Sequence, residues 1–273
     1  MKKIWSFVAA LAVVLPSLVV ATEPSTEPST DMPPIVAKSI DFHGGEALHD
    51  ARVSLTLASA SGSSRIVAWT DGEGFDYVVS STNRDGEEMR VRFSNTDGDN
   101  RVEQWLDGEP VEMDAEGAGW AERWLMARVY FPFLPFRLAD PGVYFQDLGT
   151  ETWGDRDLHR VKVTFEPGSS PDADDEFLYW FDPDSGRMEQ FAYSFHTGNG
   201  GLRLRQAIDF QRVGGILFSD QANLGVNFPE GGPAQPVDVI TPAFAAEEME
   251  RVSTVTLEDV VVEPAQASSG GGS

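Results

Sequence analysis

The chain has 273 residues, with 44 Asp and Glu against 20 Lys and Arg, a formal charge of −24 and no cysteine. That length allows one large or two small domains with a substantial core. The charge repels nucleic acid and anionic headgroups, and the lack of cysteine excludes disulfides, thiolate metal sites and lipid attachment at a cysteine.

Lys2 and Lys3 form a charged start, Ile4 to Val20 is apolar apart from Ser6, Pro16 and Ser17, and Val19-Val20-Ala21 presents small residues for cleavage. Residues 1–21 therefore read as a cleaved signal peptide that exports the protein to the periplasm, with secretion as an alternative. An uncleaved anchor fits less well, since the run is short of the ~20 residues a span prefers. Residues 22–34 repeat EPST twice and read as a flexible acidic linker. From Pro34 to Phe42 a short helix places Ile35, Val36, Ser39 and Ile40 near one face, and Gly44-Gly45 stops it after His43.

Period-two alternation follows. Val53, Leu55 and Leu57, then Phe75, Tyr77 and Val79, then Met89, Val91 and Phe93 alternate with more polar neighbours, and Val102 to Leu106 adds a further strand. The pattern then changes at Trp120 to Gly142, the densest apolar and aromatic stretch outside the signal segment. A helix from Trp120 to Phe131 puts Trp120, Trp124, Ala127 and Phe131 on one face and Ala121, Leu125 and Val129 on another. Such a helix must be covered nearly all round, so the stretch reads as a lid across a sheet. Pro132 and Pro135 break the helix, and Asp140-Pro141-Gly142 turns the chain into a strand from Val143 to Leu148.

Strands resume with Val161, Val163 and Phe165, with Phe177, Tyr179 and Phe181, and with Phe191, Tyr193 and Phe195, the last two groups joined by a hairpin at Asp182 to Gly186. Leu202 to Phe210 continues the sheet, a loop rich in Gly and Pro follows, and Val252 to Val262 closes it. About ten strands joined by short turns imply an antiparallel meander, most strands having one wet and one apolar face. The expected organisation is a single domain over residues 35–263 with a flexible tail at 264–273.

Ten strands span ~45 Å, and helices ~10 Å wide cannot cover them. The sheet must curl, fill its concave face with its own aromatics, or leave room for an apolar ligand. The composition leaves both a filled core and a greasy groove open.

The secretion signal, the helix ending in His43-Gly44-Gly45, the segment from Phe133 to Gly142 and the Tyr179-Trp180-Phe181-Asp182 hairpin resemble the periplasmic lipoprotein-carrier superfamily of LolA and LolB. The similarity is greatest to its uncharacterised secreted members with an HGG and a PFRLxDPG-like segment. The resemblance implies a mainly β fold with a few helices: a strongly bent, unclosed or half-barrel antiparallel sheet whose concave face is covered by helices around a cavity for acyl chains. The chain departs in its greater length and in lacking the receptor branch's lipobox cysteine, and the carrier's key arginine has no residue-by-residue match.

Chemistry is hard to locate. His43, His49, His159 and His196 show no metal-ligand spacing. Asn95, Asp97, Asp99 and Glu103 lack the glycine of a calcium loop, and Asp172 to Glu176 reads as a wet acidic loop. No nucleophile elbow or phosphate loop is present. Arg137 sits in an aromatic run, where it can pair with Asp140, snorkel to the lid's edge or touch a headgroup.

The expectation is a non-enzymatic, periplasmic binder of an acyl chain or a lipoprotein's lipid moiety. Trp120, Trp124, Leu125, Phe131, Phe133, Phe136, Phe165, Phe177, Tyr179, Phe181, Phe191, Tyr193 and Phe195 would line the cavity, with Arg137 as a headgroup contact. No catalytic residue, metal or cofactor is expected. Partners would be a lipid or lipidated protein and, transiently, a membrane protein, with the chain itself a monomer. The alternatives are an envelope protein with a filled core that acts through protein contacts, and an esterase of unrecognised type.

Overall fold

The computed structural model describes residues 27–264 except 50, 71–73, 97, 171, 197 and 231–232. The expected signal peptide, the first part of the linker and residues 265–273 of the tail lie outside the described residues. Two antiparallel meanders dominate. The first runs β1 (Ala51–Ser59), β2 (Gly62–Thr70), β3 (Phe75–Thr82), β4 (Glu88–Asn95), β5 (Arg101–Leu106) and β6 (Glu109–Pro110). The second runs β7 (Val143–Trp153), β8 (Arg156–Phe165), β9 (Glu176–Phe181), β10 (Met188–Phe195), β11 (Gly201–Val213) and β12 (Ile216–Asn227).

A thirteenth strand, β13 (Glu250–Pro264), joins them, and the sheet order is β6-β5-β4-β3-β2-β1-β13-β12-β11-β10-β9-β8-β7. Thirteen strands replace the expected ten or so. β2 escapes a period-two reading because Val67 and Trp69 on its outer side are as apolar as Ile66 and Ala68 on its inner side. β13 also corrects the simple meander: it lies in the middle of the sheet rather than closing an edge. Its first part pairs with β12, Val255 opposite Gln221, and its second part with β1, Thr256 opposite Ala58. One strand therefore splices two otherwise separate halves.

The sheet is unclosed. One edge, β6, has two residues and ends in Pro110, which limits pairing with other chains. The other edge, β7, is partly covered by the preceding segment: Ser29 N–H donates to Phe145 O at 2.8 Å, and Phe145 N–H to Ser29 O at 2.7 Å. Pro33 is buried and Met32 packs on the core, so the linker is held by the domain from Ser29 onward rather than flexible through residue 34. At the other end Pro264 still pairs with Ala51, so the strand takes the first residue assigned to the tail.

Among the described residues three α-helices accompany the sheet. α1 (Pro34–His43) buries Ile35, Val36, Ser39 and His43, and the chain leaves it through Gly44 at φ 141°. α2 (Ala115–Val129) begins five residues before Trp120, because Asp114 caps it by accepting from Gly117 N–H at 2.9 Å. It ends at Val129, two residues before the expected Phe131. Pro132 and Pro135 then confine the chain to short 3₁₀ turns at Phe131–Phe133 and Phe136–Ala139. Ala121, Leu125 and Val129 are fully buried on β2 to β5, whereas Trp120 is 49% exposed. The lid is thus covered on one face, not nearly all round.

α3 (Pro242–Glu248), unforeseen in the sequence, is capped by Thr241 Oγ1, which accepts from Phe244 N–H at 3.2 Å. With the turn at Val237–Val239 it packs on the outer face of the second half, over Leu178, Trp180, Ala192, Leu202 and Leu204. The inner face of the same strands presents Phe177, Tyr179, Phe181 and Phe191 to α1 and to the Leu134–Leu138 region. Strands β9 and β10 therefore have two dry faces, a correction to the one-wet-face expectation, and helices cover both sides of this half.

Candidate ligand cavity

Phe93 on β4 and Tyr193 on β10 stand seven strands apart in the sheet order, a separation of roughly 34 Å in a flat sheet. Both line one cavity of about 1170 Å³, so the sheet curls around it. That volume exceeds the roughly 300–1,000 Å³ range of most small-molecule sites. One wall comes from the first half, through Ala51, Ala68, Phe75, Tyr77 and Phe93, and the other from the second half, through Phe165, Phe177, Tyr193 and Phe195. The roof is the face of α2 and the turn after it, with Trp120, Trp124, Met126, Tyr130 and Phe131. Phe133, Phe136, Arg137 and Asp140 complete the lining.

The aromatic walls are preorganised by contact with one another. Phe75 stacks on Tyr77 at 4.8 Å, Phe131 on Tyr193 at 5.2 Å and on Phe191 at 5.4 Å, and Trp120 on Trp124 at 6.4 Å between centroids. Tyr130 and Tyr179 share a hydroxyl contact of 3.1 Å. Burial pushes both phenols well above their ordinary range, so they stay neutral.

Arg137 turns inward rather than snorkelling. Its Nη2 pairs with Asp140 Oδ2 at 2.9 Å, and its Nη1 donates to Tyr77 Oη at 2.7 Å, tying the segment after α2 to β3. Burial works against both charges of this pair. For Arg137 the carboxylate and Tyr77 outweigh it, whereas the Asp140 carboxyl ends above its ordinary value despite the guanidinium.

Polar groups gather elsewhere on the lining. Asp175 is raised to about 6, chiefly by burial, although His196 Nδ1 lies 3.3 Å from its Oδ1. Asp174, Asp175 and His196 bring their ligating atoms within 4.8 Å of one another, but Asp174 is 70% exposed and the Asp175–His196 pair accounts for the arrangement. Arg123 on α2 reaches toward Asp172 at 3.9 Å across the opening.

Of the residues expected to line a cavity, Trp120, Trp124, Phe131, Phe133, Phe136, Phe165, Phe177, Tyr193, Phe195 and Arg137 do so. Leu125, Tyr179, Phe181 and Phe191 do not: Leu125 is on the face of α2 buried against the sheet, and the other three are sealed beneath α1 and the Leu134–Leu138 region. Sequence reasoning missed the wall of the first half, above all Phe75, Tyr77 and Phe93, although their alternation was visible. Nothing in that alternation says that these strands curl to face Phe131.

His43 ends α1 as a buried residue. Burial lowers it to about 4 and its Nδ1–H donates to Ser39 O at 2.8 Å, so the ring is neutral. His159 Nε2 lies 2.7 Å from Asp147 Oδ1.

An open, curled antiparallel sheet with helices against its concave face and an aromatic cavity between its halves defines the class of protein. Within that class the chain belongs to a family of unknown function, DUF6503, whose model matches residues 22–229. The match stops short of β13, the strand that splices the sheet.

Solved structures of similar fold include a LolA superfamily protein from Nitrosomonas europaea (12% identity, 85% of this chain and 93% of that one, TM-score 0.45). A putative outer membrane lipoprotein-sorting protein domain from Vibrio parahaemolyticus has 12% identity, 86% and 93% coverage and a TM-score of 0.46. A DUF1329 family protein from Desulfovibrio piger has 8% identity, 85% and 93% coverage and a TM-score of 0.48. The lipoprotein-carrier superfamily is the one the sequence motifs resemble. No curated protein matches the chain in sequence.

Proposed function

We propose that this chain is an exported, non-enzymatic binding protein that holds an apolar ligand, an acyl chain or the lipid moiety of a lipidated protein, in the cavity between its two half-sheets. The observation that carries this reading is the 1170 Å³ space lined by aromatics from both halves and roofed by α2. Each methylene buried there contributes about 0.8 kcal/mol before ordering costs. The space speaks against a permanently filled concave face. Ser39 and His43, whose side chains approach to 3.5 Å, are both buried in the core outside the cavity, so this pair does not supply an esterase site there. Export to the periplasm rests on the charged start and apolar run of residues 1–21.

The test is native mass spectrometry of protein purified from an envelope extract, with lipid analysis and uptake of a fluorescent fatty acid. Wild type should carry or take up one discrete lipid. Trp124→Glu and Trp120→Glu should weaken uptake at least tenfold while the sheet stays folded. Phe131→Glu is a poorer probe, because Phe131 also stacks on Phe191 in the core. Unchanged uptake by both folded tryptophan variants, or no uptake by wild type, would sink the proposal.

A further inference from the structure

The concave face holds a second, quite different recess at the far ends of the same strands. Ala51, Ala68 and Tyr77 face the large cavity, whereas Leu57 and Ser59 of β1, Gly62 to Ser64 of β2 and Ser81 of β3 line a space of about 250 Å³. Register puts Leu57, Ser59, Gly62, Ser64 and Ser81 on the inner face, Leu57 opposite Ser64 and Ser64 opposite Ser81. Arg128 from the last turn of α2, with Arg205, Asn223 and Ser253, completes the lining. Two guanidinium groups thus share one small, hydroxyl-rich recess.

No carboxylate lies within 4.0 Å of either guanidinium among the described residues, in a chain with 44 acidic residues. Arg92, Arg137, Arg156, Arg160 and Arg187 each have such a partner. Arg128 instead donates from Nε to Ser64 Oγ at 3.2 Å and from Nη1 to Trp124 O at 2.7 Å. Burial lowers it to about 10, with no acid to restore it. Arg205 has only long contacts, to Gln221 Oε1 at 3.4 Å and Tyr193 Oη at 3.5 Å, and its buried Nε has no acceptor.

Both planes are held in place by rings. Arg128 lies 3.9 Å above Trp124 and Arg205 lies 4.4 Å above Phe131. A half-buried, positioned guanidinium without a counter-charge costs stability that an oxyanion would offset. The hydroxyls suit one as well: Ser64 Oγ already accepts from Arg128 and Ser253 Oγ from Asn223 Nδ2, so each has its own proton to donate. Asn223 Oδ1 is a buried acceptor without a donor, a place for the proton of a hydrogen-phosphate group and not for sulfate.

We propose that Arg128 and Arg205, with Ser64, Ser253 and Asn223, form a binding site for a phosphate or phosphomonoester group. It is separate from the large cavity and does not rest on the reading of that cavity. The group can arrive as free phosphate or as the headgroup of a lipid whose chains lie elsewhere on the concave face.

Calorimetric titration with inorganic phosphate, sulfate and monomeric dihexanoyl phosphatidate tests the site, with melting curves run on every variant. Wild type should bind phosphate saturably, one per chain, and more tightly than sulfate. Arg128→Gln and Arg205→Gln should each weaken it at least tenfold, Arg205→Lys less, and the exposed Arg84→Gln not at all. Should one glutamine variant fail to fold, the other and Arg205→Lys carry the test. Tighter binding of phosphatidate than of phosphate, with the gain lost in Trp120→Glu, would identify a lipid headgroup; equal affinities would identify free phosphate. The assignment is overturned by the absence of saturable binding of both, by equal sulfate binding, or by folded Arg128→Gln and Arg205→Gln proteins that bind like Arg84→Gln. Uptake of an uncharged alkyl probe reports on the large cavity independently of all these outcomes.

Discussion

The two half-sheets solve the same burial problem differently. In the first half, β1 to β6, Val53, Leu55, Ile66, Val79 and Val91 point to the inner face and share one core with Ala121, Leu125 and Val129 of α2, while Phe75, Tyr77 and Phe93 look into the cavity. In the second half, β7 to β12, both faces carry bulk. Tyr179, Phe181 and Phe191 are sealed on the inside, and Trp180, Leu178 and Leu204 lie under α3 and its preceding turn on the outside. A half covered on both faces is a rigid wall, whereas a half covered by one helix can leave space beside that helix. The cavity lies where the cover runs out.

The largest expected effect concerns what holds the halves together. Among the described residues every backbone ladder joining the two half-sheets runs through β13, so removal of residues 250–264 should abolish the single cooperative unfolding transition followed by circular dichroism in urea. A truncated chain that unfolds at the wild-type midpoint would show that the halves dock without the strand.

Next come paired core deletions. Trp180→Ala removes a fully buried ring whose Nε1–H donates to Glu151 Oε2 at 2.7 Å, and should cost about 3–5 kcal/mol in urea unfolding. Phe93→Ala should cost less, about 3 kcal/mol or below, because one side of that ring already faces the cavity. Equal losses would erase the distinction between a packed and an open half.

His43 gives the second half a pH signature. The unfolded chain takes up its proton near pH 6.5, whereas the folded ring refuses it until about pH 4. The unfolded state therefore binds more protons in that window. This contribution to stability is intact above pH 6.5 and is lost as pH falls toward 4, by about 3 kcal/mol in all. His43→Leu should flatten that limb of a stability-against-pH curve; an unchanged slope would mean that the ring titrates normally.

Much of this was legible along the chain, for local reasons. α1 announces itself by Pro34 at its start, a 3.6-residue apolar period and Gly44-Gly45 at its end. Alternation shows which side Phe177 and Tyr179 share, but not that Phe177 reaches the cavity while Tyr179 lies beneath α1. Depth depends on what packs above, and that comes from residues 40 to 140 positions away. β13 reads as an ordinary strand, because its place between β1 and β12 depends on partners more than 150 residues apart from each other in sequence. The meeting of Arg128 with Arg205 is equally non-local. α3, by contrast, was readable and overlooked: Thr241-Pro242 is a helix start, and only the helix's seven-residue length hid it.

The smallest expected effect separates stability from function. Asp114 caps α2, which roofs the cavity, and Thr241 caps α3, which backs the outer face of the rigid half. Both caps accept one backbone N–H, so Asp114→Ala and Thr241→Ala should each cost about 1 kcal/mol. Their effect on uptake of a fluorescent fatty acid should differ. Fraying the first turn of α2 loosens the turn on which Trp120 stands, so Asp114→Ala should change the rate of uptake several-fold. α3 touches only the sealed back of the sheet, and Thr241→Ala should leave that rate alone. If the two variants shift uptake equally, binding follows global stability and α2 has no special part in it; if only Asp114→Ala does, the openness of the first half governs access to the cavity.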